Sequence, residues 1–359
     1  MKRGSRLLIA LSLIGVAGFF LVTAFQAQIA TALMTRMVDS RVGRDVTANL
    51  PDGLHVALCG TGSPLPDATR AGPCSVVIAG THVFVVDIGE GGARTIAHMG
   101  IPMGRIEGVF LTHFHSDHID GMGPLMLMRW TGAAATSPLA VHGPPGVKAV
   151  IAGFDAAYAT DNGYRSAHHG ATIAPPSGAG ATPLPFDLGN ADSALVFEAN
   201  GLRVTAFRVD HGPVKPAVGY RFDYKGRSAV FSGDTAPVAT LVTAAKGADL
   251  LVNEALQPAL VKLITAALDA KGQKNTAQIT RDIIGYHTTP EQAADTAKAA
   301  GVRLLVLNHL VPPLPLRFAY PAFLGEAKRH YGGEIIVGED GMLFSLPAGT
   351  SEIERRTLL

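Results

Sequence analysis

Three histidines and an aspartate, His113, His115, Asp117 and His118, fall within six residues of one stretch, Leu111-Thr-His-Phe-His-Ser-Asp-His-Ile-Asp-Gly121. The stretch directly follows the short apolar run 108–111, which reads as a buried strand. Side chains two apart on an extended segment share a side, so His113 and His115 can point into one pocket. A turn into helix near Ser116 would swing Asp117 and His118 toward a neighbouring position. One short loop would then serve two metal ions, and imidazole with carboxylate suits zinc and similar divalent cations. A lone histidine is more often structural than ligating, but the spacing H-x-H-x-D-H is hard to account for that way.

Other polar residues also close apolar runs. His211 follows 208–210, Asp234 follows 230–233, and His309 follows 304–308. Strand ends converging on one edge would gather them as ligands on loops held by a rigid scaffold. Strand-like segments are expected at 55–59, 74–79, 83–86, 109–112, 139–142, 195–198, 202–209, 218–224, 228–232, 250–252 and 304–307, with a strand pair over 334–346. Helices are expected at 90–99, 148–160 and 324–330, and on either side of His287. Residues 170–192, rich in Ala, Gly and Pro, read as a flexible surface excursion. His168 and His169 read as solvated loop residues. Strand-rich halves separated by helices fit an α/β chain in which two sheets lie between helical layers.

The 359 residues carry a formal net charge of +1, so no global attraction to nucleic acid follows from charge. Of the two cysteines, Cys59 and Cys74, neither belongs to a C-x-x-C pair, which excludes a zinc ribbon. They are read equally as a disulfide in an oxidising compartment or as two buried thiols. Lys2, Arg3 and Arg6 precede the uncharged run 7–25, nearly long enough to span a bilayer. We read residues 1–32 as an uncleaved membrane anchor, with a signal peptide cleaved near Ala30-Thr-Ala32 as the alternative. The expected organisation is then a linker at 33–50, a main domain at 51–349 and a tail at 350–359. The expected location is the periplasmic face of the cytoplasmic membrane, or outside the cell if 1–32 is removed.

The motif at 111–121 resembles the one that defines the metallo-β-lactamase superfamily. Within it the chain looks most like the ribonuclease Z and arylsulfatase-like branch. The supports, across roughly 53–346, are Gly60-Thr-Gly-Ser-Pro64, Asp210-His211-Gly212, Gly219-Tyr220, Ser232-Gly-Asp-Thr235, His287-Thr-Thr-Pro-Glu-Gln and Leu307-Asn-His309. The resemblance implies the αββα four-layer sandwich and two divalent metal ions, expected to be Zn2+. One would be held by His113, His115 and His211, the other by Asp117, His118 and His309, with Asp234 bridging. A hydroxide between the metals would attack an ester-type bond, with Asp117 orienting it or accepting its proton. His287 would stay off the metals and stabilise the developing charge or protonate the leaving group, Glu254 would orient His287, and Asp87 would hold a ligand histidine. Asn253 departs from the branch, which often has histidine before that glutamate.

The expected substrate is a small-molecule ester, such as an aryl sulfate or phosphodiester. A ribonuclease Z-like endonuclease processing tRNA 3′ ends is the alternative, and it calls for a basic arm. Residues 143–200 offer only Lys148 and Arg165 as cations against Asp155, Asp161, Asp187, Asp192 and Glu198, which argues against a nucleic-acid partner. The membrane, through the N-terminal segment, and a second copy in a homodimer complete the expected partners. A redox di-iron protein would carry an acidic residue in place of His115. A non-catalytic metal-binding protein would be expected to have lost ligands.

Overall fold

The computed structural model describes residues 2–359. It falls into two units, one ending at Asp45 and one spanning Val46–Leu359. The first consists of helices Lys2–Ala24 and Gln26–Arg41. The first half of the expected linker at 33–50 is therefore helical, since nothing between Gln26 and Arg41 breaks a helix. Among the described residues no single helix is long and apolar enough to cross a membrane. Leu11–Ala24 and Gln26–Arg41, bent by 69° at their junction, reach that length and composition only as a pair. The side chains of Lys2, Arg3 and Arg6 lie outside the described residues.

In the second unit β1 (Gly53–Gly60), β2 (Cys74–Ala79) and β3 (His82–Ile88) form an antiparallel meander. Beside it lie β4 (Gly108–Phe110), β5 (Leu139–Gly143) and β6 (Ala181–Pro185), all in parallel pairing. The second sheet contains β7 (Ser193–Ala199), β8 (Leu202–Arg208), β9 (Val218–Tyr224), β10 (Arg227–Phe231), β11 (Leu250–Leu256), β12 (Leu304–Val311) and β13 (Glu334–Val337). The chain then returns to the first sheet as β14 (Met342–Pro347) and β15 (Glu354–Thr357), giving the order β15-β14-β1-β2-β3-β4-β5-β6.

Period-two alternation makes four layers from two sheets. On β1, Leu54, Val56 and Leu58 face the second sheet and pack with Tyr220, Phe222, Phe231 and Val252. Ala57 and Cys59 face outward, with Val83 and Val85, onto Ile96, Met122, Leu125 and Ile151 of the helices. The outer face of the second sheet, Val230, Leu251, Leu305 and Leu307, packs on Leu241, Ala293, Ala297 and Phe323. Because both faces of the central strands are covered, β1, β11 and β12 are fully buried and read as continuous apolar runs. This is the expected αββα sandwich. Each fully buried Phe or Leu of the inter-sheet layer contributes about 1.5–3 kcal/mol.

Several local expectations are corrected. Residues 170–192 are not simply an excursion. After helix Val147–His169 they supply β6, whose Ala181–Pro185 backbone pairs with Leu139–Gly143. His168 and His169 close that helix, exposed, rather than lying in a loop. The tail at 350–359 contains β15, paired with β14. The strands of 334–346 do not pair with each other, because Glu334–Val337 joins β12 while Met342–Pro347 joins β1. Cys59 and Cys74 form a disulfide, fully buried where β1 and β2 meet.

Candidate metal centre

The site lies at the ends of β3, β4 and β10 and against the bulge in β12. Beyond β4, Thr112 is clamped by Asp87 at the end of β3. The Thr112 amide donates to Asp87 Oδ1 at 2.8 Å and its hydroxyl to Oδ2 at 2.7 Å. Asp87 holds a left-handed backbone, φ 53°, costly for a residue with a Cβ; these bonds fix the bulge in β3 where the β2–β3 register shifts. The chain passes through His113 and His115 into the short helix Ser116–Ile119, whose first turn carries Asp117 and His118. Gly89 lets that turn approach, since a Cβ there would sit 2.3 Å from the Asp117 carbonyl oxygen.

His118 Nδ1 donates to Asp87 Oδ2 at 2.8 Å, which turns Nε2 toward the other site residues, where a cation would take the place of its proton. His118 Nε2 is buried without a hydrogen-bond partner, 3.3 Å from Asp234 Oδ2 and 3.6 Å from Asp117 Oδ2. His211 lies in an isolated bridge with Val214, and its Nδ1 faces the Tyr286 carbonyl at 3.2 Å, turning Nε2 inward. His113 Nε2 and His211 Nε2 approach His115 Nδ1 at 3.1 and 3.3 Å. Asp234 follows β10 through Gly233, where a φ of 60° and the 2.8 Å that an added Cβ would leave to the Val218 carbonyl oxygen require glycine. His309 sits inside β12 at φ 45°, opposite a register shift in β11, and its Nε2 reaches Asp117 Oδ2 at 3.1 Å.

Two groups of potential ligand atoms result, each within 4.8 Å of one another: His113, His115, His211 and Asp234, and Asp117, His118 and His309. Asp234 Oδ2 stands between them, 3.9 and 3.8 Å from His113 and His211 and 3.3 Å from both His118 and His309. All seven expected ligand residues therefore meet in one place. The fit to a cation is independent of any resemblance. Lone-pair donors crowd a buried space, while His118 Nε2 and Asp234 Oδ1 have no hydrogen-bond partner.

Charge in the site is strongly organised. Burial holds His113 well below the ordinary imidazole range and pushes His211 down to about 4. Burial would lower His118 as well, but Asp234, Asp117 and Asp87 together carry it well above. Burial opposes the Asp234 carboxylate, yet His309 and His118 keep it well below the usual range.

His287 stacks on His309 at 5.6 Å with 16° between the rings. Its Nδ1 is 3.2 Å from Glu254 Oε1, and the same oxygen accepts from the Thr288 amide at 2.7 Å and the Thr235 amide at 3.3 Å. Burial depresses His287, but the Glu254 carboxylate outweighs it and lifts the ring to about 9. Asp234, His287 and His309 also form a compact group, so proximity alone does not separate His287 from the ligands. Asn253 is buried beside this pair and donates to the Glu254 carbonyl at 2.7 Å.

Sequence reasoning missed three supports. The Tyr286 carbonyl carries no side-chain signal. The Thr112 clamp was legible only as a hydroxyl next to a ligand. Asp340 was not singled out; it accepts from the Thr61 amide and hydroxyl at 2.9 and 2.7 Å and from the Ala71 amide at 2.7 Å. Thr61 in turn accepts at its carbonyl from Leu310, beside His309.

A family model described as "Beta-lactamase superfamily domain" matches residues 89–310. The chain belongs to that superfamily. Its relatives include a ribonuclease Z of Mycobacterium sp. (strain KMS), 39% identical over 262 residues, 73% of this chain and 85% of that protein. A ribonuclease Z of Mycobacterium avium (strain 104) is 36% identical over 289 residues, 80% and 96% of the two chains. Among solved structures, the metallo-β-lactamase fold protein YhfI from Bacillus subtilis aligns with a TM-score of 0.58 at 20% identity, covering 81% of this chain and 99% of that one. Human tRNase Z, short form, gives 0.56 at 23%, covering 82% and 99%. These two structural likenesses bear on the fold alone.

The relatives overturn the expectation of a small-molecule ester partner with nucleic acid set aside. They bear the name ribonuclease Z, and they lend nothing to the aryl sulfate reading. The physical reason lies in the charge census of residues 143–200. Those residues form the end of β5, a long helix, β6 and β7. They are scaffold, so their few cations say nothing about where RNA would bind.

Proposed function

We propose that the protein is a metal-dependent ribonuclease that cleaves a phosphodiester bond, in the manner its relatives' name implies. The observation that carries the dinuclear part is Asp234 Oδ2, within 3.3–3.9 Å of one nitrogen on each of four histidines drawn from both groups. A single carboxylate so placed can offset the repulsion between two dications. In this reading His113, His115 and His211 hold one ion, Asp117, His118 and His309 the other, and Asp234 both; zinc suits this donor set. Bound there, the ions would polarise the phosphoryl group and lower the pKa of a water. Asp117 takes up the proton released as the oxygen–phosphorus bond forms. His287, kept protonated by Glu254, delivers a proton to the departing ribose oxygen. The relatives at 36–39% identity supply the substrate class.

The test uses the full chain, metal-loaded, with a precursor-tRNA-like stem carrying a 3′ trailer and with bis(p-nitrophenyl) phosphate. Cleavage of both, abolished by chelation and restored by zinc, is the expected result. Turnover of the diester with an intact RNA would sink the ribonuclease reading, and metal-independent turnover would sink the dinuclear one. We also propose that the catalytic unit is exported, a reading supported by the buried Cys59–Cys74 disulfide.

A further inference from the structure

A cleft of about 620 Å3 opens beside Asp117, walled by Pro64, Leu65, Arg70, Glu90 and Asp120. Its charge suits a polyanion poorly. Asp67, Glu90, Asp117 and Asp120 line it, and its one cation, Arg70, is committed to the Thr61 hydroxyl, the Gly338 carbonyl and the Tyr320 hydroxyl. An RNA strand entering here gains little from phosphate contacts, so its binding must draw on its bases.

A loop hydrogen-bonded to the cleft wall through Arg70 and Tyr320 offers a surface for that. Leu65 packs against the small cluster of Leu256, Val261 and Val311, the last of which lies two residues beyond His309. From Val311 the chain runs through a loop that leaves Leu316 68% and Phe318 92% exposed. Phe318 lies in the short turn Arg317–Ala319. That turn is not free to wander. Arg317 pairs with Glu339, Tyr320 Oη donates to Glu339 Oε1 at 2.7 Å, and Arg70 reaches Tyr320 Oη at 2.8 Å. An aromatic ring exposed this fully contributes almost nothing to folding, yet it is tethered through Tyr320 to a wall of the cleft.

We propose that Phe318, shouldered by Leu316, is a stacking platform for an unpaired base of the RNA substrate. This rests on the ribonuclease reading above. Every base has a π-face, so such a platform would be tolerant of sequence.

The test uses the full chain as wild type, Phe318→Ala, Phe318→Leu and Phe318→Trp. The RNA stem with a 3′ trailer and bis(p-nitrophenyl) phosphate serve as substrates. The ratio of KM for RNA to KM for the diester should rise about 5- to 100-fold in Phe318→Ala. Phe318→Leu should recover little of it, and Phe318→Trp most. The added indole fluorescence of Phe318→Trp, over that of buried Trp130, should be quenched by decauridylate. An unchanged KM ratio, or rescue by leucine equal to that by tryptophan, overturns the platform. A blue shift with phosphatidylglycerol vesicles and no response to decauridylate also overturns it, assigning the loop to a lipid surface. If wild type turns over the diester but not RNA, the ribonuclease reading fails. Decauridylate quenching then still decides whether the loop binds bases, and its absence overturns the platform as well.

Discussion

At the scale of single residues, Asp234 and His287 make different promises. Asp234 reaches both groups, so Asp234→Ala should lower bound metal at both positions; elemental analysis showing full occupancy would refute the bridge. His287 stacks on His309 but pairs with Glu254. His287→Ala should therefore keep its metal while losing about a hundredfold to ten-thousandfold in turnover, the usual scale for a general acid. Loss of metal in that variant would make His287 a ligand. Away from the site, His142 stacks on Phe110 at 4.5 Å and burial pushes it down to about 4. Unfolded histidine titrates near 6.5, so between pH 6.5 and 4 the unfolded chain binds a proton that the fold refuses. Stability is full above 6.5 and should fall by about 3 kcal/mol as pH drops through that window. Urea unfolding in chelator, compared with His142→Gln, should show a flatter pH dependence in the variant. Equal slopes would mean His142 is not the group.

Individual elements differ in how legible they were, for physical reasons. The motif strand, the meander and the runs ending in Asp234 and His309 were legible because both faces of their strands are buried, whereas the strand before His211 was legible from its alternation of buried and exposed residues. β6 and β15 were hidden because an edge strand needs only backbone pairing on one side, so its composition stays loop-like. The separation of Glu334–Val337 from Met342–Pro347 was not legible because apolar alternation does not say which sheet a strand joins. The loop from Thr61 to Ala71 is the element whose importance emerges only in three dimensions. Asp340 satisfies three of its donors, and Thr61 passes the restraint to Leu310 beside His309. Asp340→Ala leaves those groups unpaired and should cost about 1–3 kcal/mol in unfolding experiments. Because the strain reaches β12, metal should be released more readily from Asp117, His118 and His309 than from the other group. Cobalt-substituted protein would report this as selective loss of one visible band set; uniform loss would make Asp340 a general fold residue.

The whole molecule joins features that favour different compartments. Ribonuclease Z relatives point toward RNA, whereas a buried disulfide is a feature of proteins that mature under oxidising conditions. The Cys59–Cys74 bridge closes the junction of β1 and β2, and Cys74 lies opposite Ile88, next to Asp87, in the β2–β3 register. Through Asp87 the bridge is thus one step from His118. An exported unit should acquire the bond as it folds, while a cytoplasmic one should hold two thiols. Alkaline phosphatase fused after Leu359 is active only where its own disulfides form, so an active fusion places the catalytic unit outside. Thiol labelling of the denatured, unfused chain gives an independent reading, with Cys59 and Cys74 expected to be blocked. A chain starting at Val46 keeps both sheets and every ligand, so with its disulfide formed it should bind metal and turn over substrate like the full chain. A stable but inactive fusion together with two labelled thiols would place the unit in the cytoplasm, where precursor tRNA is made.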